Sequence, residues 1–134
     1  MKEQDSNEES TRLLKSQQSL KKIPDRFQAS VVIVDGYAAG MEYLLTKAYT
    51  VIGRDKTADI PLKDPLVSRQ HAAILYREEN YFLKDLESTN GTRMSGALIK
   101  QADLRHGDTF LIGDTTLQFI LEDTGGNKVY EIEE

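Results

Sequence analysis

The chain has no cysteine and no tryptophan, and only two histidines and three prolines among 134 residues. Without cysteine there is no disulfide framework, no thiol nucleophile and no thiolate metal site. Two histidines leave few options for imidazole-based catalysis. No apolar run approaches the roughly 18 residues of a membrane span, and the N-terminus lacks the apolar core of a signal peptide. Positive charge is also in short supply: 17 Lys+Arg stand against 22 Asp+Glu, a net charge of −5. An acidic balance weighs against nucleic-acid partners, which are gripped by clustered Lys and Arg. The reading is a small cytoplasmic protein of a reducing compartment, with no membrane insertion and no nucleic-acid partner. Its length suits one domain of roughly 100–150 residues.

Apolar residues are distributed unevenly. Residues 1–28 contain only Met1, Leu13, Leu14, Leu20, Ile23 and Phe27. So polar a stretch cannot offset the entropy cost of folding alone. It reads as a flexible tail, acidic over residues 1–9 and basic from Arg12 to Arg26. Residues 124–134 read as a second loose end, since Gly125-Gly126 breaks the preceding pattern. The module lies between, over residues 29–123.

Within it the pattern is short and β-like. Apolar, β-branched or alternating runs cover residues 30–35, 41–45, 49–53, 71–77, 81–86, 108–113 and 116–122. Glu78-Glu79-Asn80 and Asp114-Thr115 mark hairpin loops. No stretch holds a 3.6-residue period over ten residues. The expected fold class is all-β, an antiparallel sandwich or barrel.

Three loops carry more polar chemistry than a turn needs. They are Gly53-Arg54-Asp55, Ser68-Arg69-Gln70-His71 and Ser88-Thr89-Asn90-Gly91-Thr92. A sandwich gathers its loops at two ends, so three such loops can meet. Arg54 and Arg69 offer permanent forked cations that match phosphate oxygens. Ser68 and Thr89 offer hydroxyl donors. Asn90 offers both a donor and an acceptor, which suits an extended peptide backbone. No general base accompanies them, so the set reads as a recognition site and the chain as a non-enzyme. Asp55, Asp59 and Asp64 lack the spacing of a cation-binding loop and read as solvated loop charges. No metal and no cofactor is expected.

In this order and spacing, the three loops resemble the forkhead-associated (FHA) domain. So does the later run Leu104-Arg105-His106-Gly107-Asp108, followed by Leu111-Ile112-Gly113 and Phe119. The resemblance implies a sandwich of about eleven short strands that binds phosphothreonine peptides at one end. By matching position, Arg54 and Ser68 hold the phosphate, and Arg69 lines the pocket. Thr89 adds a phosphate contact, and Asn90 bonds the peptide main chain. Gly53, His71 and Gly91 support the site. Partners are then phosphothreonine-containing proteins, with a Ser/Thr kinase among the candidates. Thr11, in the tail, is a candidate phosphorylation site whose product could compete for the chain's own pocket. The alternative is a phosphate-independent scaffold domain of a larger complex.

Overall fold

The computed structural model describes residues 27–123. These residues form eleven strands. They are β1 (Phe27–Asp35), β2 (Glu42–Leu44), β3 (Tyr49–Gly53), β4 (Ile60–Pro61), β5 (Ala72–Arg77), β6 (Asn80–Asp85), β7 (Thr92–Met94), β8 (Ala97–Ile99), β9 (Gln101–Leu104), β10 (Thr109–Ile112) and β11 (Thr115–Asp123). One sheet runs β2-β1-β11-β10-β7-β8 and the other β4-β3-β5-β6-β9. The side chains between them alternate inward as a half-buried strand requires. Val31 and Ile33 of β1 meet Leu117 and Phe119 of β11, and Ile52, Ile74 and Leu83 close the core from the facing sheet.

All seven patterned runs appear as strands, so the all-β sandwich expected from the sequence is the fold observed. Four strands lack a readable pattern. β4 has two residues and β7 to β9 have three or four each, too few to display alternation. β4 also pairs parallel with β3, the one departure from an antiparallel arrangement. β1 starts at Phe27, so it takes in Phe27 and Gln28, which the sequence reading had assigned to the tail. Asn80 pairs with Arg77 inside the β5–β6 ladder. This shortens that hairpin loop to Glu78 and Glu79, both left-handed with φ of 54° and 66°.

The strand ends define two poles. Gly53, the β4–β5 connection, the β6–β7 connection and the Gly113-Asp114 turn gather at one. Phe27, Asp123 and the Glu78-Glu79 hairpin lie at the other. The predicted features at Thr11 and Gly125-Gly126 fall outside the described residues.

Candidate functional site

His71 holds the site together from beneath. It is fully buried at the start of β5. The backbone N–H of Ser68 donates to His71 Nδ1 at 3.1 Å, and His71 Nε2 lies 2.8 Å from the Gly91 carbonyl. A backbone N–H can only donate and a carbonyl can only accept. The ring is therefore the Nε2–H tautomer, with both nitrogens engaged. One side chain thus ties the β4–β5 loop to the β6–β7 loop.

Gly53 brings the first loop against the second. A Cβ on Gly53 would lie 1.9 Å from the Arg69 carbonyl oxygen, so only glycine allows the approach. Across this contact the Arg54 N–H donates to the Ser68 carbonyl at 2.9 Å, and the Asp55 N–H to the Arg69 carbonyl at 3.2 Å. Arg54 is exposed and its Nε donates to the Val67 carbonyl at 2.8 Å. That bond fixes the stem of the guanidinium and leaves its two terminal nitrogens for a ligand.

The third loop is bonded to the second. The Thr89 N–H donates to Ser68 Oγ at 3.0 Å, and Asn90 Nδ2 donates to the Leu66 carbonyl at 2.8 Å. Gly91 sits at φ +88°, and a Cβ there would come 2.4 Å from Leu98 Cδ2. Its left-handed backbone favours glycine, whereas the exposed Leu98 tip is free to move aside. Five expected ligand contacts, Arg54, Ser68, Arg69, Thr89 and Asn90, therefore meet at one pole, with Gly53, His71 and Gly91 as the frame. Among the described residues, the Ser68 hydroxyl hydrogen, the Asn90 carbonyl oxygen, the Thr89 hydroxyl and the Arg69 guanidinium have no hydrogen-bond partner. These groups can surround an anion and bond an extended chain, but none is placed as an acid, base or nucleophile.

Two carboxylates brace the loops, and neither role was read from the sequence. Asp64, expected to be a solvated loop charge, is 1% exposed. Its Oδ1 accepts from the Leu66 N–H at 2.9 Å, and its Oδ2 accepts from the Asp114 N–H at 2.8 Å and the Thr115 hydroxyl at 2.9 Å. It thus pins the site loop to the β10–β11 turn. Burial works to raise its pKa, but these donors outweigh burial and hold the carboxyl below the usual range. Asp85 accepts from the Ser88 hydroxyl at 2.6 Å, the Ser88 N–H at 3.1 Å and the Thr92 hydroxyl at 2.7 Å. Ser88 Oγ in turn accepts from the Gly91 N–H at 2.9 Å. Burial raises the Asp85 carboxyl as well, and its donors again bring it down. The Asp85–Ser88 spacing of three residues was the available signal for this local turn.

The other two aspartates are nearer to the expectation. Asp55 accepts from the Thr57 N–H at 3.0 Å and its hydroxyl at 2.9 Å. The backbone bond from Thr57 is the main cause that lowers its pKa. Asp59 pairs with Lys47 at 2.5 Å and caps the Val51 N–H at 2.8 Å. Among the described residues no group of three or more His, Cys, Asp or Glu side chains is arranged to hold a metal ion.

A family model for the FHA domain matches residues 50–113, which span all three loops. An FHA domain solved in a study of phosphothreonine-dependent FHA interactions superposes with a TM-score of 0.64 at 31% identity, over 69% of this chain and 95% of that one. The chain belongs to the FHA-domain family. EmbR of Mycobacterium tuberculosis, solved with a low-affinity phosphopeptide, is similar at 34% identity and a TM-score of 0.64, over 75% of this chain and 25% of EmbR. The glycogen accumulation regulator GarA of the same organism is 36% identical over 92 residues, or 69% of this chain and 57% of GarA. The chain thus spans little more than half of this relative. Across FHA proteins of such different lengths, the shared part is the sandwich with its loop pole.

Proposed function

We propose that this FHA domain is a phosphothreonine-dependent protein-binding module that acts, without catalysing a reaction, as an adaptor or regulator downstream of Ser/Thr kinases. One observation carries the reading: Arg54, Ser68, Arg69, Thr89 and Asn90 converge on one rim with donors left free. A phosphothreonine side chain carries about −1.5 to −2 charge at neutral pH. Each charge-assisted hydrogen bond to it is worth about 1.5–3 kcal/mol. Arg54 and Ser68 hold the phosphate, Arg69 and Thr89 complete the pocket, and Asn90 bonds the peptide main chain.

Calorimetric titration with a phosphothreonine peptide tests the assignment. Arg54→Ala and Asn90→Ala each weaken binding at least about tenfold, or 1.4 kcal/mol, while the thermal transition stays in place. Dephosphorylated peptide does not bind. Unchanged affinity in both variants overturns the site. Binding that survives phosphatase treatment points to a phosphate-independent scaffold.

The same pocket suits a tethered ligand. Phosphorylated Thr11 would act as that ligand and compete with outside partners. Sixteen peptide links join Thr11 to Phe27, a root-mean-square span of about 20–24 Å for a flexible chain. The pocket lies about 27 Å from Phe27, the length of β1. The reach is therefore adequate, with an effective concentration below its maximum. Protein phosphorylated at Thr11 that still binds external phosphopeptide as tightly as before defeats this switch.

A further inference from the structure

The outer face of the six-stranded sheet carries an apolar cluster on β2, β1 and β11, beside the polar side chains of Gln118, Thr116 and Thr109. Ala29, Val31 and Ile33 of β1 point into the core. The side chains between and beyond them are nevertheless Ser30, Val32 and Val34. The strand register puts Leu44 and Ile120 on either side of Ser30 on this outer face. Leu111 lies farther along, opposite Thr116. Leu44 is 55% exposed and Val34 44%, and Val32, Leu111 and Ile120 are half-buried. Antiparallel sheets with one solvated face carry polar residues there, and a contiguous apolar patch marks a contact surface. Its charged rim is acidic along β2, β1 and β11, while Arg93 stands beside Leu111 on the far side. Glu42 sits opposite Val32 and Glu122 opposite Gln28, and neither forms an ion pair with a described residue.

We propose that this face is the docking surface for the chain's own residues 12–26. That segment holds Leu13, Leu14, Leu20 and Ile23, and the cations Arg12, Lys15, Lys21, Lys22 and Arg26 against Asp25 alone. Its apolar and charged content is the complement of the face. It also joins β1 directly at Phe27, beside the patch. The row of Leu44, Ser30 and Ile120 lies about 10 Å up the strand from Phe27. Four residues reach about 13–14 Å. The chain between Ile23 and Phe27 is therefore long enough to reach that row. A second copy of the same face would bring Glu42 and Glu122 to an identical acidic rim, and like charges oppose that pairing. The contact needs no phosphate and stands apart from the loop pole.

The absence of cysteine allows a single spin label to be introduced through Ser19→Cys in the full-length, unphosphorylated protein. Docking at the high effective concentration of a tether gives paramagnetic broadening of the Val32, Leu44 and Ile120 amides about threefold or more above that of Phe82 and Lys84 on the opposite sheet. Leu20→Asp with Ile23→Asp removes the difference, and so does Leu44→Ser on the exposed edge strand. Arg54→Ala leaves it intact, which separates this contact from phosphopeptide binding. Equal broadening of both sheets overturns the proposal. So does broadening that arises only between mixed labelled and unlabelled molecules, which would assign the face to a second copy.

Discussion

At the loop pole, polar side chains are driven into the protein. His71, Thr92 and Thr115 are fully buried and Asp64 nearly so, and all four are hydrogen-bonded. At the opposite pole the β5–β6 turn closes on two left-handed glutamates, and the nearby buried Tyr81 hydroxyl has no partner. The first pole is built of long connections that cannot hold themselves in place. Its buried carboxylates and imidazole supply bonds that strand pairing elsewhere provides. The second uses exposed side-chain bonds instead, with Asn80 Nδ2 donating to the Glu78 carbonyl at 3.0 Å and Asp108 Oδ2 accepting from the Arg105 N–H at 2.8 Å, and it leaves one buried hydroxyl unsatisfied. Four of the six buried polar residues among those described thus stand at the loop pole, while Ser30 and Thr50 lie within β1 and β3.

The sharpest way to break that contrast is to remove the most buried carboxylate. Asp64→Ala strands the Leu66 and Asp114 N–H groups and the Thr115 hydroxyl. It is expected to cost about 3–5 kcal/mol and roughly 15–30 °C in Tm, measured by thermal unfolding. A Tm within a few degrees of the parent would mean that the loop pole holds itself without Asp64.

Acid probes the same pole more gently. Asp64 and Asp85 have pKa values lowered by folding. Their contribution is complete above the unfolded carboxylate value near 3.9 and is lost as pH falls through the lower folded values. Denaturant midpoints should thus fall below about pH 4, and more shallowly in Asp64→Asn. Equal acid slopes in parent and variant would remove the linkage from Asp64.

At the opposite pole, substitutions should stabilise. Replacing Glu78-Glu79 by Asn-Gly relieves two left-handed residues, worth about 1–2 kcal/mol, and raises Tm by roughly 5–10 °C. The smallest effect is expected from Tyr81→Phe. The Tyr81 ring packs 4.8 Å from Tyr76 and 5.0 Å from Phe119. Burial and Tyr76 push its hydroxyl pKa up to about 12. Deleting that unpartnered hydroxyl is expected to gain about 0.5–1 kcal/mol. A loss of stability in either variant, read by chemical denaturation, would contradict the cost assigned to the left-handed pair or to the unpartnered hydroxyl.

The two poles also differ in how legible they were. Runs such as Ser30 to Asp35 and Tyr49 to Gly53 reveal strands because alternation and β-branching are local properties. The candidate set at the loop pole could be named because Arg, Ser, Thr and Asn declare their chemistry by type. The bracing by Asp64 and Asp85 was not legible. Asp64 before Pro65 reads as an ordinary turn residue, and only Asp114 and Thr115, some fifty residues later, make it a buried anchor. The short strands β7 and β8 were likewise unreadable, since three residues joined by Ser95-Gly96 show a turn without a period. The value of Leu66 as a backbone acceptor for Asn90 depends on tertiary contact alone.

Phe27 and Asp123 are register partners in the β1–β11 ladder, so the two ends of the sandwich stand side by side at the pole away from the loops. A unit with adjoining ends can be grafted into a surface turn of an unrelated host with little distortion of either. The same closeness allows a circular permutant, with Phe27 and Asp123 bridged by a short linker and a new break opened at Ser95-Gly96.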